Sequence, residues 1–490
     1  MRCLFLFNRK LRSLLNKNAP RDAHSHEAEI CRCSDRTRRD SSAGGTLCSL
    51  QGMFSEVPSY LEEKKCFEVG MNEIYGMQEN NIDKGKLKIQ ITSEATSFPV
   101  EDASIRITYT GVPDQTIETV STDSSGQTET LELPAPPVEY SLDERQEEQP
   151  YSEYTLEVTA PGFEPIQIAG TEILSGVTAL QNIRMLPLER EEGQEVYVIP
   201  AHTLFGNYPP KIPEAEIKPM DESGEIVLSR VVVPEYIVVH DGSPRDSTAL
   251  NYYDRYKDYI KNVASSEIYA TWPEEAIKAN VLAIMSFTLN RVYTEWYRNQ
   301  GFEFTISSST AFDHKWIPQR NIYDTISVVV DDLFASYLSR PNVRQPILTQ
   351  YCDGKQVTCP GWMTQWGSKD LADQGYSAIQ ILRYFYGSDM YINTAQEISG
   401  IPSSWPGYTL ENGSSGSKVL QMQEQLNVIA GAYPAIPKVD ADGIYGPRTE
   451  ASVRKFQEVF GLPQTGKVDY RTWYKISEVY VGVSRIAELV

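Results

Sequence analysis

At 490 residues the chain is too long for one domain, and roughly 100–200 residues per domain predicts about three. Hydrophobic residues make up 41% and charged residues 23%, which excludes a disordered, collagen-like or coiled-coil chain. A net charge of −21 excludes a general nucleic-acid binder, which needs a basic face, and no apolar run reaches the roughly 18 residues of a membrane span.

Residues 1–83 differ from the rest. The first 40 carry ten Lys/Arg and five Asp/Glu, so the excess acid lies in the body. The apolar stretch Cys3–Phe7 is too short for a secretory signal, and Asn8-Arg9-Lys10 ends it. His24, His26, Cys31 and Cys33 have the chemistry of metal ligands, but the lack of periodicity and the Arg/Ser content predict a disordered tail. Met53, Met71 and Met77 stand as alternative translation starts.

Residues 84–190 read as β. Residues 86–91 and 104–109 alternate polar and apolar, as half-buried strands do. Asp123–Gln127 makes a turn before the strand pattern of 128–133, and residues 154–158 run into the break Ala160-Pro161-Gly162. Short strands between Gly/Pro breaks predict a β-sandwich. The turn and Tyr154–Pro165 resemble carboxypeptidase regulatory-like, immunoglobulin-like modules, which implies a spacer or adhesion role. Residues 191–230, rich in Pro and Glu, read as an extended linker.

Residues 231–400 begin an α+β region. Residues 259–267 predict a helix, and a second runs from Glu274 to about Tyr297, with Thr271 and Glu274 fitting a capping box and Pro273 in the first turn. Its apolar face passes through Ile277, Val281, Ile284, Met285, Leu289 and Val292. Glu267 closes one helix and Glu275 opens the next, so the bend between them can bring two carboxylates together. Read alone, both are also compatible with solvated helix-end charges.

Residues 259–267 followed by Trp272–Ala279 resemble the stage II sporulation protein D family. Gly361–Gly375 and Ala378–Gly387 are similar to its later blocks, in the same order. Members of that family cleave peptidoglycan glycan strands as lytic transglycosylases, or assist enzymes that do. The resemblance implies one carboxyl group acting as acid and then base, with a 1,6-anhydro product. It assigns that role to Glu275, with Glu267 as second choice or partner, and Trp272, Gln365 and Trp366 as substrate contacts. Trp272, or Glu267 as a like charge, would raise the acid's pKa. Thr364, Gln380, Ser286-Phe287-Thr288 and the loop 351–360 depart from the family pattern.

Cys352 and Cys359 have six residues between them, including the turn pair Asp353-Gly354. Three readings stand open: a disulfide, two plain thiols, or a zinc site with His314 as third ligand. The Cys spacing is longer than the two to four residues usual in structural zinc sites. No other cofactor is expected.

Residues 408–480 carry the most complete pattern. Gly413–Asn427, Asp442–Thr449, Val453–Gln457, Gly461–Asp469 and Thr472-Trp473 resemble the three-helix peptidoglycan-binding domain. Val419, Met422 and Leu426 recur at helical spacing, as do Val453 and Phe456. The resemblance implies ligand contact by Asp442, Tyr445 and Arg448. The expected whole is multidomain: a β-sandwich, an α+β region resembling sporulation protein D, and a small all-α module. Its expected partner is peptidoglycan, and its expected place is the cell wall or spore envelope, by a route no signal peptide reveals. A cell-wall glycan lyase and a catalytically silent anchoring scaffold are the two functions compatible with this pattern.

Overall fold

The computed structural model describes residues 83–188, 194–218, 228–401 and 404–484. The chain divides into two compact units, Met1–Asn80 and Asn81–Val490, and all described residues belong to the second. The readings of His24, His26, Cys31, Cys33 and the alternative starts lie outside the described residues.

A β-rich region leads. Strands β1 (Asp83–Ser93), β4 (Leu131–Ala135) and β7 (Thr178–Met185) form one sheet. Strands β2 (Ser104–Tyr109), β3 (Thr116–Ser121), β5 (Ser152–Thr159), β6 (Ile166–Ile173) and β8 (Glu195–Val198) form another, in the order β3-β2-β5-β6-β8. Alternation decides which face is buried. Leu87, Ile89 and Ile91 of β1 share a core with Ile105 and Ile107 of β2 and Leu156 and Val158 of β5. The turn after β3 depends on Gly126, at φ +71°, where an added Cβ would meet the Ile91 carbonyl oxygen at 2.3 Å.

This region is fused to the next. Ile322-Tyr323 adds antiparallel to β7, on the same sheet. Arg320 pairs with Glu172 of β6 at 2.6 Å, both buried, and the Asn321 side chain donates to and accepts from the Glu172 backbone at 3.0 Å each. Trp272 Nε1 donates to the Ser141 carbonyl at 3.0 Å.

The central region is built on α1 (Tyr256–Glu267) and α2 (Glu274–Tyr293). Helix α2 is buried on nearly every side, so it forms the hub rather than a surface. Around it pack α1, α3 (Asp324–Leu333), α4 (Gln365–Asp373) and α5 (Ala378–Tyr386). The expected capping box at α2 does not form. Pro273 is the N-cap, the Thr271 hydroxyl bonds the Ser141 hydroxyl at 2.7 Å, and Glu274 pairs with Lys278 at 2.7 Å. A capping box forms instead at α5, between Ser377 and Gln380, the position that departs from the sporulation-family pattern.

Residues 194–218 are not a free linker. After β8 they run as a strap across the central region, burying Ile199, Leu204, Tyr208, Lys211 and Lys218. Gln350 bonds the strap twice, at Ile212 O and Glu214 N, both at 2.8 Å. Glu214 pairs with the buried Arg291 at 2.6 Å and Glu216 with Arg340 at 2.6 Å. The glutamates that read as part of an extended linker are here ion-paired, Glu214 with Arg291 and Glu216 with Arg340.

The C-terminal helices are α6 (Ser417–Ala432), α7 (Pro447–Val459) and α8 (Tyr470–Ser484). They pack on the other regions. Glu478 of α8 meets Lys257 of α1 at 2.5 Å and Lys475 at 2.6 Å, while Asp331 of α3 meets Lys261 at 2.9 Å. Phe334 packs on the Tyr470 and Tyr474 rings, and the Gln127 side-chain amide donates to the Val459 carbonyl. Among the described residues no helix is long and apolar enough to cross a membrane.

Candidate functional site

Glu267 and Glu275 sit in opposite environments. Glu267, the last residue of α1, has no exposed surface. One carboxyl oxygen accepts the Lys315 backbone N–H at 2.6 Å and the other faces the Gln365 amide at 3.4 Å. Burial pushes this carboxyl above the ordinary Glu range. The Lys211 ammonium, the Tyr351 hydroxyl and the Lys315 N–H oppose that push without overcoming it. The negative end of the α1 dipole acts in the same direction as burial.

Several polar atoms near this carboxyl point into the interior without a hydrogen-bond partner among the described residues. They are the Tyr208 hydroxyl, His314 Nε2 and Gln365 Oε1. His314 Nδ1 meets the Tyr259 hydroxyl at 3.0 Å, and its ring stacks on Tyr351 at 5.9 Å. Buried groups of this kind each carry a desolvation cost, and such clusters concentrate at sites with a task.

Glu275 lies at the start of α2 with its side chain 39% exposed. One oxygen accepts the Ala378 backbone N–H at 2.7 Å, at the first residue of α5, and the other meets Lys278 at 2.9 Å. Burial pushes its pKa up, but the Ala378 N–H and the Lys278 ammonium outweigh it, and the carboxyl lies below its ordinary range. This reverses the expectation that Trp272 or Glu267 would raise it. Glu275 holds a charged carboxylate that seats α5 on α2.

Trp272 and Trp366 are buried against each other, with centroids 5.0 Å apart, and Tyr269 meets both edge-on at 6.1 Å. They are walls, and neither offers an open platform for a sugar. Gln365 is buried and reaches Glu267.

Cys352 and Cys359 are joined as a disulfide, with Cα atoms 5.9 Å apart. Their sulfurs are spent on each other, and His314 is engaged with Tyr259, so this trio does not form the zinc site that sequence spacing left open. Among the described residues no cluster of three or more His, Cys, Asp or Glu is arranged to hold a metal. The bridge closes a loop in which Asp353 accepts the backbone N–H groups of Gln356 at 2.6 Å and Val357 at 3.0 Å.

In the C-terminal module two glutamines do the same work. Gln423 accepts from Gly443 N at 2.8 Å and donates to Ile444 O at 3.0 Å and the Thr449 hydroxyl at 3.2 Å. Gln457 accepts from Gly466 N at 2.8 Å and donates to Lys467 O at 2.8 Å and the Thr472 hydroxyl at 3.1 Å. Each glutamine clasps the loop that starts the next helix. Asp442 serves its own loop, accepting from Ile444 N at 2.8 Å and Gln423 at 3.1 Å. Tyr445 is only 1% exposed and its hydroxyl donates to the Gly466 carbonyl at 2.8 Å, so it is core rather than contact surface. Arg448 is open, with its side chain 87% exposed and a long 3.4 Å pair with Asp440, and Asp442 is exposed as well.

Residues 415–476 match the family described as "Putative peptidoglycan binding domain". A stretch of 77 residues is 39% identical to the zinc D-Ala-D-Ala carboxypeptidase of Streptomyces albus G, covering 16% of this chain and 28% of that protein. Among solved structures, the SleB N-terminal domain is similar over 16% of this chain and 99% of its own, at 27% identity and a TM-score of 0.14. Catechol 1,2-dioxygenase of Acinetobacter radioresistens is similar over 25% of this chain and 60% of its own, at 14% identity and a TM-score of 0.16. The family match identifies a peptidoglycan-binding domain over residues 415–476.

Proposed function

We propose that this protein binds peptidoglycan through its C-terminal module and cleaves the glycan strand in its central region, as a lytic transglycosylase. Glu267 is the acid and base in this reading, in place of Glu275. The observation that carries it is the buried Glu267 carboxyl, pushed toward its neutral form by burial, with the Gln365 amide at 3.4 Å and the Tyr351 hydroxyl beside it. A neutral Glu267 donates its proton to the glycosidic oxygen as the C1–O bond breaks and its electron pair leaves with that oxygen. The resulting carboxylate takes the proton of the sugar's C6 hydroxyl, whose oxygen closes on C1 to form the 1,6-anhydro ring. Glu275, held as a carboxylate, supports the fold around the site. The resemblance of residues 259–387 to the sporulation protein D family also supports this reading.

One observation favours a second reading. Glu267 has no exposed surface, and a polymer must reach it. In that reading the central region is a silent scaffold that presents the binding module.

The test uses the full chain on purified sacculi, with soluble products resolved by mass. Wild type should sediment with sacculi and release 1,6-anhydro fragments. Glu267→Gln should lose at least about 10²-fold in release, the lower end for general acid–base catalysis, and sediment as before. Glu275→Gln should retain more activity than Glu267→Gln and melt lower than wild type. Binding without release by wild type, with stem peptides present or stripped, gives the molecule to the scaffold reading.

A further inference from the structure

The strap does more than tie regions together. It brings two side chains, Tyr208 and Lys211, into the neighbourhood of Glu267 from outside the stretch that carries the helices. Lys211 is 5% exposed. Its ammonium donates to the Asp313 carbonyl and lies 4.8 Å from the Tyr351 ring centroid and 5.6 Å from that of Phe287. No carboxylate among the described residues forms a direct ion pair with it, because Asp313 and Glu214 are both taken by Arg291. A buried ammonium without a close partner is costly unless compensating charge lies within reach. The carboxyl that most strongly favours its charged form is Glu267.

We propose that the strap is part of the candidate site, with Lys211 the positioning residue whose charge balances Glu267 across the Tyr351 ring. The proposal rests on the reading of Glu267 given above. Lys211 holds the Tyr351 ring by its face, and the Tyr351 hydroxyl lies beside the Glu267 carboxyl. Lys315, on the loop to which the strap is hydrogen-bonded at Ala311 and Asp313, adds a backbone N–H and its own ammonium. Tyr259 on α1 and His314 are neutral partners, the first because burial pushes its hydroxyl up and the second because burial pushes its ring down. Lys211 is therefore the principal cation facing the carboxyl from any packed element. It keeps the acid from becoming so weak that, once it has given its proton away, the carboxylate would be too costly to hold.

The experiment reads Glu267 without substrate. In the full chain, the protonated-carboxyl infrared band that disappears in Glu267→Gln is titrated with pH. Lys211→Met should move that midpoint upward by about one unit or more, a roughly tenfold gain in proton affinity. Lys211→Gln, which keeps a donor for the Asp313 carbonyl, should do the same. Lys211→Arg should restore the wild-type midpoint. Where glycan release is measured, its alkaline limb should move upward with the band. A folded Lys211→Met or Lys211→Gln variant with an unmoved midpoint overturns the proposal, as does an equal shift in Lys211→Arg. Because the band needs no turnover, a protein that cleaves nothing still decides the matter. A band that ignores Lys211 beside release that depends on Glu267 defeats this inference alone.

Discussion

Replacing Glu478 with Gln tests how the binding module is held. In α8 the Glu478 carboxylate meets Lys257 of α1 at 2.5 Å and Lys475 at 2.6 Å, and Arg255 Nη1 donates to the Glu478 carbonyl at 3.3 Å. The Glu478 and Lys257 side chains are 18% and 14% exposed, so the pair is mostly screened from water. Breaking a buried pair by removing one partner costs about 3–5 kcal/mol, and partial exposure puts this site near about 3 kcal/mol. Asp331 still faces Lys257 at 3.4 Å, which limits the loss. Denaturant unfolding of Glu478→Gln should show that loss near neutral pH, and a cycle with Lys257→Met should show coupling of about 1 kcal/mol or more. Lys257, Lys475 and Arg255 hold the Glu478 carboxyl well below its ordinary range, against the upward push of burial. Its contribution is therefore present above the unfolded Glu value of about 4.3 and lost as pH falls through the lower folded value. The gap between wild type and variant should close in acid. A loss below about 1 kcal/mol at neutral pH, or a gap that persists in acid, would refute the reasoning.

Gln457→Leu should cost about 3–5 kcal/mol in module stability, read by denaturant unfolding, because Gly466 N, Lys467 O and the Thr472 hydroxyl lose a buried partner together. Asp254 is raised to about 7 by burial and by the nearby Asp258, against the Trp316 indole N–H at 2.8 Å. Its contribution is full below the unfolded Asp value of about 3.9 and lost as pH rises through about 7. Asp254→Asn should flatten the fall of wild-type stability across that window, and an unchanged slope in unfolding free energy against pH would contradict the assignment.

Local pattern made much of the fold legible. The alternation of 104–109 matches β2 residue for residue, and the apolar stripe from Ile277 to Val292 lies within α2. Both depend on neighbours a few positions away, where periodicity speaks. The site was harder to read, because its partners are distant in sequence. Glu275 looks like an unexplained acid until Ala378, 103 residues on, supplies its N–H. Glu267 looks like an ordinary helix-end charge until Lys315 and Gln365 close around it. Tyr208 and Lys211 were missed altogether. They lie in a Pro-rich stretch without periodicity, and the only local hint was a Tyr, a Lys and an Ile among residues otherwise suited to solvent. Tyr445, which the resemblance assigns to ligand contact, is buried, and its hydroxyl finds the Gly466 carbonyl of the following loop.

The two glutamine clasps make the C-terminal module an overlapping duplication. Helix α7 serves twice, as the follower of the first clasp and the bearer of the second. Val419 and Gln423 on α6 correspond to Val453 and Gln457 on α7, and counting from the helix start as on α7 places Ile476 and Tyr480 on α8. Such a series has no inherent end, since each helix could clasp a further loop. Tyr480 lacks the amide that bonds a glycine N–H and a neighbouring carbonyl at once, so α8 does not repeat the clasp at this position. Two residues before it, Glu478 turns toward Lys257. Helix α8 thus turns from clasping loops to attachment on the body, joining the binding module to the central region through one carboxylate.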